Sequence, residues 1–177
     1  MNKHKIILIL TLFIAVSGIG QEKINWMSFE EAVAATQKNP KKIFIDVYTD
    51  WCGWCKKLDV TTFIDPTLVK YMNEKYYAVK LDAETKDTIH FAGTAYVNPN
   101  PGVKRSTHQL AYSILNGQMS YPTVVIWYEG NNIHPIPGYR TAEELLIYLK
   151  YYGENAYKNM TIEEFQKSIS KPINTGQ

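Results

Sequence analysis

The chain has 177 residues, 45% hydrophobic and 20% charged, which suits one globular domain with a substantial core. Its 19 basic residues outnumber its 17 acidic ones only through Lys3 and Lys5, so residues 21–177 balance at 17 against 17. That neutrality argues against a nucleic-acid partner, which selects a basic surface.

The first twenty residues read as a signal peptide. Lys3, His4 and Lys5 precede the apolar run Ile6–Val16, and small Gly18 and Gly20 suit cleavage before Gln21. The run is short of the ~20 apolar residues of a membrane span. A retained N-terminal anchor is the alternative. Export would place the chain in the periplasm or cell envelope, where disulfides form and persist, with no stable membrane insertion after cleavage.

Ser28-Phe29-Glu30-Glu31 is a capping box that opens a helix, stopped at Asn39-Pro40. KIFIDVYT follows, a buried strand carrying Asp46. CGWCKKLDV is expected to be a helix beginning at Cys52. Asp65-Pro66 caps another, running through Lys75. YYAVKLDA is an apolar strand with Lys80 in it. Residues 84–106, with NPNPG at 98–102, read as a long irregular loop, a kind of segment that is uncommon and often functional. THQLAYSILNG is a short helix, YPTVVIWY a strand, EGNN a turn, and IHPIPG a proline-broken edge strand. Thr141 and Thr161, each with Glu three residues on, cap the last two helices. The order predicts a mixed sheet with helices on both faces.

The two cysteines, Cys52 and Cys55, stand in DWCGWCKK. Haem attachment would need a histidine where Lys56 stands. Structural zinc would need two more ligands, and His90, His108 and His134 lack the spacing. A purely structural disulfide would close a tiny loop and stabilise little. A redox dithiol fits better. At a helix start, free N–H groups and the dipole favour the Cys52 thiolate. Cys55 lies one turn on and can resolve a mixed disulfide with a client. Asp46, in the middle of an apolar strand, should have a raised pKa.

The segment FIDVYTDWCGWCK resembles the active-site segment of the thioredoxin superfamily, and most of all exported thioredoxin-like proteins with a WC-x-WCK motif. The resemblance runs over about residues 41–152. It implies a thioredoxin-like α/β fold with an extended insertion before a cis-proline loop, and an extra C-terminal helix. On it, residues 21–177 form one thioredoxin-like domain, with 153–177 an extension of the core. Asp46 takes the place of the family's buried acid beneath the dithiol, which implies that it can accept the Cys55 proton, and Lys80 that of its strand lysine. Tyr121-Pro122-Thr123 matches the cis-proline loop. Trp54 stands where proline is common, and the segment Glu84–Ser120 is far longer than in a minimal thioredoxin.

The expected catalytic residues are therefore Cys52, Cys55, Asp46 and Lys80, although Lys80 also reads as a solvated strand lysine. Trp51, Gly53, Trp54, Tyr121 and Pro122 are the expected client-binding residues. No flavin or nucleotide fingerprint occurs in the sequence, so no cofactor is expected and an external electron donor or acceptor is required. The expected function is disulfide exchange with cysteines of envelope proteins, leaning to reduction. A thiol oxidant or isomerase, a peroxidase, and a binding or chaperone module working through residues 84–120 are the alternatives.

Overall fold

The computed structural model describes residues 21–130 and 132–170. The signal-peptide expectation falls on residues 1–20, outside the described residues.

Strand β2 (Lys42–Tyr48) buries every residue from Ile43 to Val47, which marks a central strand covered on both faces. It pairs in parallel with β3 (Tyr76–Asp82) and antiparallel with β6 (Thr123–Tyr128). Beyond β3 lies the two-residue β1 (Trp26–Met27), and beyond β6 the edge strand β7 (Asn132–Pro137). The mixed sheet has the order β1-β3-β2-β6-β7.

The two-residue period of the strands divides the core. Phe44, Ala78, Val124 and Ile126 face one way and pack with α2 (Gly53–Thr61), α3 (Pro66–Lys75), α5 (Ala142–Gly153) and α6 (Ile162–Ser170). Ile43, Ile45, Val47, Val79 and Val125 face the other way, against α1 (Phe29–Lys38) and α4 (Gln109–Ile114). Helices thus cover both faces, as the sequence predicted. The capping boxes at Ser28 and Thr141 are both formed reciprocally. At α6, Thr161 N–H donates to Glu164 and Glu164 N–H returns to Thr161 Oγ1. The C-terminal segment joins the same core through Phe165, which packs on Tyr151 at 5.6 Å. No helix among the described residues is long and apolar enough to cross a membrane.

One expectation is corrected. Residues 84–106 do not form an irregular loop throughout. They include a hairpin, β4 (Ile89–Phe91) and β5 (Thr94–Tyr96), as a separate two-stranded sheet. Ala92 and Gly93 both take positive φ, at 50° and 77°, the conformation of a tight two-residue hairpin loop. Phe91 then reaches the main core, 5.5 Å from Phe29 and 5.1 Å from Trp127. Strands of three residues are too short to show an alternating pattern.

Two buried polar side chains tie the insertion down. The Asn98 amide donates to the carbonyls of Glu84, Thr85 and Ser106, and its oxygen accepts from Asn100 N–H and Ser106 Oγ. His108 caps α4 by accepting from Leu110 N–H through Nδ1, and its Nε2 donates to the Asp87 carbonyl at 3.1 Å.

Candidate active site

The chain leaves β2 at Tyr48 and turns directly into α2, with Cys52 as N-cap. The turn is closed by Cys52 N–H donating to the Thr49 carbonyl at 3.1 Å. Cys52 and Cys55 are joined by a disulfide, with Cα atoms 5.3 Å apart. Cys55 N–H donates to Cys52 Sγ at 3.0 Å, so a helix-terminal amide already points at the sulfur that would carry negative charge when reduced. A redox dithiol calls for an exposed thiolate at Cys52. In the disulfide form Cys52 is only 5% exposed, close to the 3% of Cys55.

Asp46 is fully buried. Its side chain shares a face of β2 with Phe44, the face that α2 covers. Neither carboxylate oxygen accepts a hydrogen bond among the described residues. Burial raises the Asp46 carboxyl to about 7, against the opposing pull of Lys80. Lys80 is its register partner on β3, with Nζ 3.5 Å from Asp46 Oδ2. The same ammonium donates to Asp59 Oδ1 on α2 at 2.5 Å. Burial lowers the Lys80 pKa, but the hydrogen bond to Asp59 and the two carboxylate charges outweigh it and hold the group above its usual value.

Asp59 was not anticipated from the sequence. The available signal was its position one turn after Cys55, on the same side of α2.

Trp51 is 48% exposed and Trp54 56%, on either side of Cys52. Trp51 meets the Tyr121 ring edge-on at 5.8 Å, and its indole N–H donates to Glu84 Oε1 at 2.8 Å. Arg105, from the insertion, lies over its face at 4.8 Å. Trp54 packs on Tyr139 at 5.4 Å, and the Lys57 ammonium sits over both rings. Glu84, Arg105, Lys57 and Tyr139 were likewise not foreseen, since each reaches the site only through tertiary packing. The Tyr121–Pro122 peptide is cis, as the sequence predicted, and the Pro122 carbonyl accepts from Gly138 N–H at 2.8 Å. Gly53 is exposed, with open space where a Cβ would stand.

A mixed sheet of this order, with a C-x-x-C disulfide capping the helix after its central strand, defines a thioredoxin-fold protein. The chain belongs to the thioredoxin-like domain family, whose model matches residues 29–153. Among curated proteins it is similar to a thiol:disulfide interchange protein DsbD of Photorhabdus laumondii. The two are 34% identical over 50 residues, which are 28% of this chain and 8% of the relative. The chain spans only about a tenth of the length of the curated relatives it matches, 8–13%.

Two solved structures share the fold. A thioredoxin-fold protein from Helicobacter pylori is 17% identical with a TM-score of 0.56, covering 74% of this chain and 81% of that one. A putative disulphide-isomerase from Bacteroides thetaiotaomicron is 24% identical with a TM-score of 0.52, covering 77% and 98%.

Proposed function

We propose that this chain is an exported thiol–disulfide oxidoreductase that reduces disulfides of envelope proteins. The observation that carries the reading is the Cys52–Cys55 pair at the start of α2, above a buried carboxyl that no hydrogen bond satisfies. The similarity to proteins named for thiol:disulfide interchange supports it. Export rests on the sequence of residues 1–20.

In the reduced enzyme the Cys52 thiolate attacks a client disulfide sulfur. An S–S bond forms between Cys52 and the client, and the client's other sulfur leaves as a thiolate. Cys55 then loses its proton to Asp46 and attacks Cys52 Sγ. The intramolecular disulfide forms, and the client leaves fully reduced, two electrons richer. A carboxyl with its pKa near 7 is matched to that proton transfer at neutral pH. Lys80 positions and tunes Asp46. Trp51, Trp54 and Tyr121 form an apolar rim for the client backbone, with Gly53 exposed in the same turn and Pro122, next to Tyr121, buried.

Two opposed effects bear on the direction. Helix-end amides stabilise the thiolate and so the reduced form, which favours an oxidant. A buried carboxylate nearby repels the same thiolate, which favours a reductant. The incomplete pairing of Asp46 with Lys80 leaves its carboxylate, once ionised, free to oppose the thiolate, and this supports the reducing direction. An external dithiol protein must then return the two electrons.

The test is insulin-disulfide reduction by the purified protein in the presence of a small dithiol. Turnover that vanishes in Cys52→Ala supports the reading. Turnover equal in wild type and Cys52→Ala, or absent from both, removes it and favours a binding module. The reduction potential of the Cys52–Cys55 pair fixes the direction, a reductant lying well below the glutathione couple.

A further inference from the structure

Two aromatic–cation stacks flank the disulfide. On one side Arg105 lies over Trp51, which meets Tyr121. On the other, Lys57 lies over Trp54 and Tyr139. Lys56 and Lys104 are the chain neighbours of these cations, and all four are exposed. Among the described residues, no carboxylate forms an ion pair with any of the four.

Several carboxylates share the region: Asp59 on α2 is held by Lys80, Asp82 acts on Tyr121, and Glu144 acts on Tyr139. Glu84 is engaged by the Trp51 indole N–H. Asp50 is exposed, and its charge acts on Tyr48 and Asp82 at the ends of β2 and β3. Arg105 and Lys57 nevertheless stand at the two aromatic stacks with no carboxylate paired to them among the described residues.

A cation seated on an aromatic face keeps its full charge and loses side-chain freedom. Arg105 and Lys57 are thus set in place beside the reacting sulfur before a client arrives, which lowers the ordering cost of an ion pair with it. Resting on the oxidoreductase reading, we propose that this face selects client segments in which the target cysteine is flanked by acidic residues. The aromatic rings receive the extended backbone around that cysteine, and Arg105 and Lys57 pair with carboxylates on either side of it. Arg105 comes from the insertion, so the segment that lengthens this fold is also what supplies one half of the selectivity. A basic segment meets like charge at both stacks and is disfavoured.

The test uses two peptides that differ only in the residues beside one cysteine, glutamates in one and lysines in the other. Each is blocked as a mixed disulfide with neutral 2-mercaptoethanol. Single-turnover reduction by pre-reduced enzyme is followed by tryptophan fluorescence, and the rate ratio on one enzyme cancels any general loss of activity. The acidic peptide should react roughly tenfold faster at low salt, the scale on which rim charges act. The ratio should approach one at about 0.5 M salt, where screening is short-ranged. Arg105→Glu and Lys57→Glu should each lower the ratio, and the double variant should invert it. A ratio near one at low salt, or one that the double reversal leaves in place, overturns the proposal.

A second arm measures binding of the same peptides with serine in place of cysteine. An acidic preference there, with no Cys52-dependent reduction of any peptide, keeps the docking preference and removes the oxidoreductase reading. No preference in binding and none in rate overturns the proposal, while reduction of both peptides keeps the oxidoreductase reading.

Discussion

Asp46 and Lys80 are register partners on adjacent parallel strands, and the Lys80 ammonium stands 3.5 Å from Asp46 Oδ2 without hydrogen-bonding it. Its closer contact goes to Asp59, 2.5 Å away on the helix that bears the dithiol. Asp46 is therefore a buried acid with a cation in view but shared, and it keeps its proton up to about pH 7.

That sharing sets the pH dependence of stability. Between pH ~4 and ~7 the unfolded chain gives up the Asp46 proton while the folded protein retains it, so stability falls as pH rises through that window. Asp46→Asn should remove the loss. It should be more stable than wild type at pH 8, by up to about 4 kcal/mol, with little difference at pH 4. The same variant should slow resolution of the mixed disulfide by a factor on the order of 10². Melting curves at both pH values, with single-turnover rates, test this. A variant both slow and destabilised would make Asp46 a structural residue instead.

Asp59→Asn should act on Asp46 at a distance. It removes a negative charge that raises the Asp46 pKa and frees Lys80 from its closer partner. The Asp46 titration, read from its carboxyl carbon by NMR, should move to lower pH, and the window of falling stability should narrow with it. An unmoved titration would show that the Trp26 and Tyr48 rings beneath Lys80, rather than Asp59, fix its position.

The two cysteines should behave unequally. Cys55→Ala should accumulate mixed disulfides with clients through Cys52, because nothing remains to resolve them. Cys52→Ala should accumulate few or none. Non-reducing gels of cell extracts from the two variants provide the comparison, and equal trapping would contradict the assigned roles.

Asn98→Ala should loosen the insertion. It leaves the Glu84, Thr85 and Ser106 carbonyls and the Asn100 N–H without this partner. The cost should be about 2–4 kcal/mol, as expected for several unsatisfied groups. Amide exchange should quicken over residues 84–106 and at Trp51, whose Glu84 and Arg105 contacts come from that segment, before it quickens in β2.

On the proposed export, the mature protein should begin at Gln21 or within a residue or two of it. N-terminal sequencing of protein from its native source decides this, and an intact Met1 in the membrane fraction would reject cleavage.

Much of the fold was legible because its determinants are local. The three Ser/Thr-to-Glu capping boxes, the Asp65-Pro66 start and the apolar run around Asp46 each act within a few residues. Asp46 was legible as a buried acid because no exposed strand would surround it with Phe44, Ile45 and Val47. The β4–β5 hairpin was not, because its anchor is Phe91 against Phe29 and Trp127, residues distant in the chain. The same holds for Asp59 and Arg105. Nothing in their local sequence separates them from ordinary surface charges, and only the packing of α2 on β3 and of the insertion on Trp51 gives them a place.

The sheet's outermost strands bear on how such a protein survives its work. An oxidoreductase that handles unfolded chains is surrounded by segments ready to add themselves to any open strand. Here one margin is two residues long, and the other carries Pro135 and Pro137 opposite Val125 and Thr123. Prolines donate no N–H, and two paired residues are too few to nucleate a ladder. A client therefore gains no lasting template on the flanks. On the proposed function, the productive contact of a client is left to the dithiol end, where a bond made is also a bond broken.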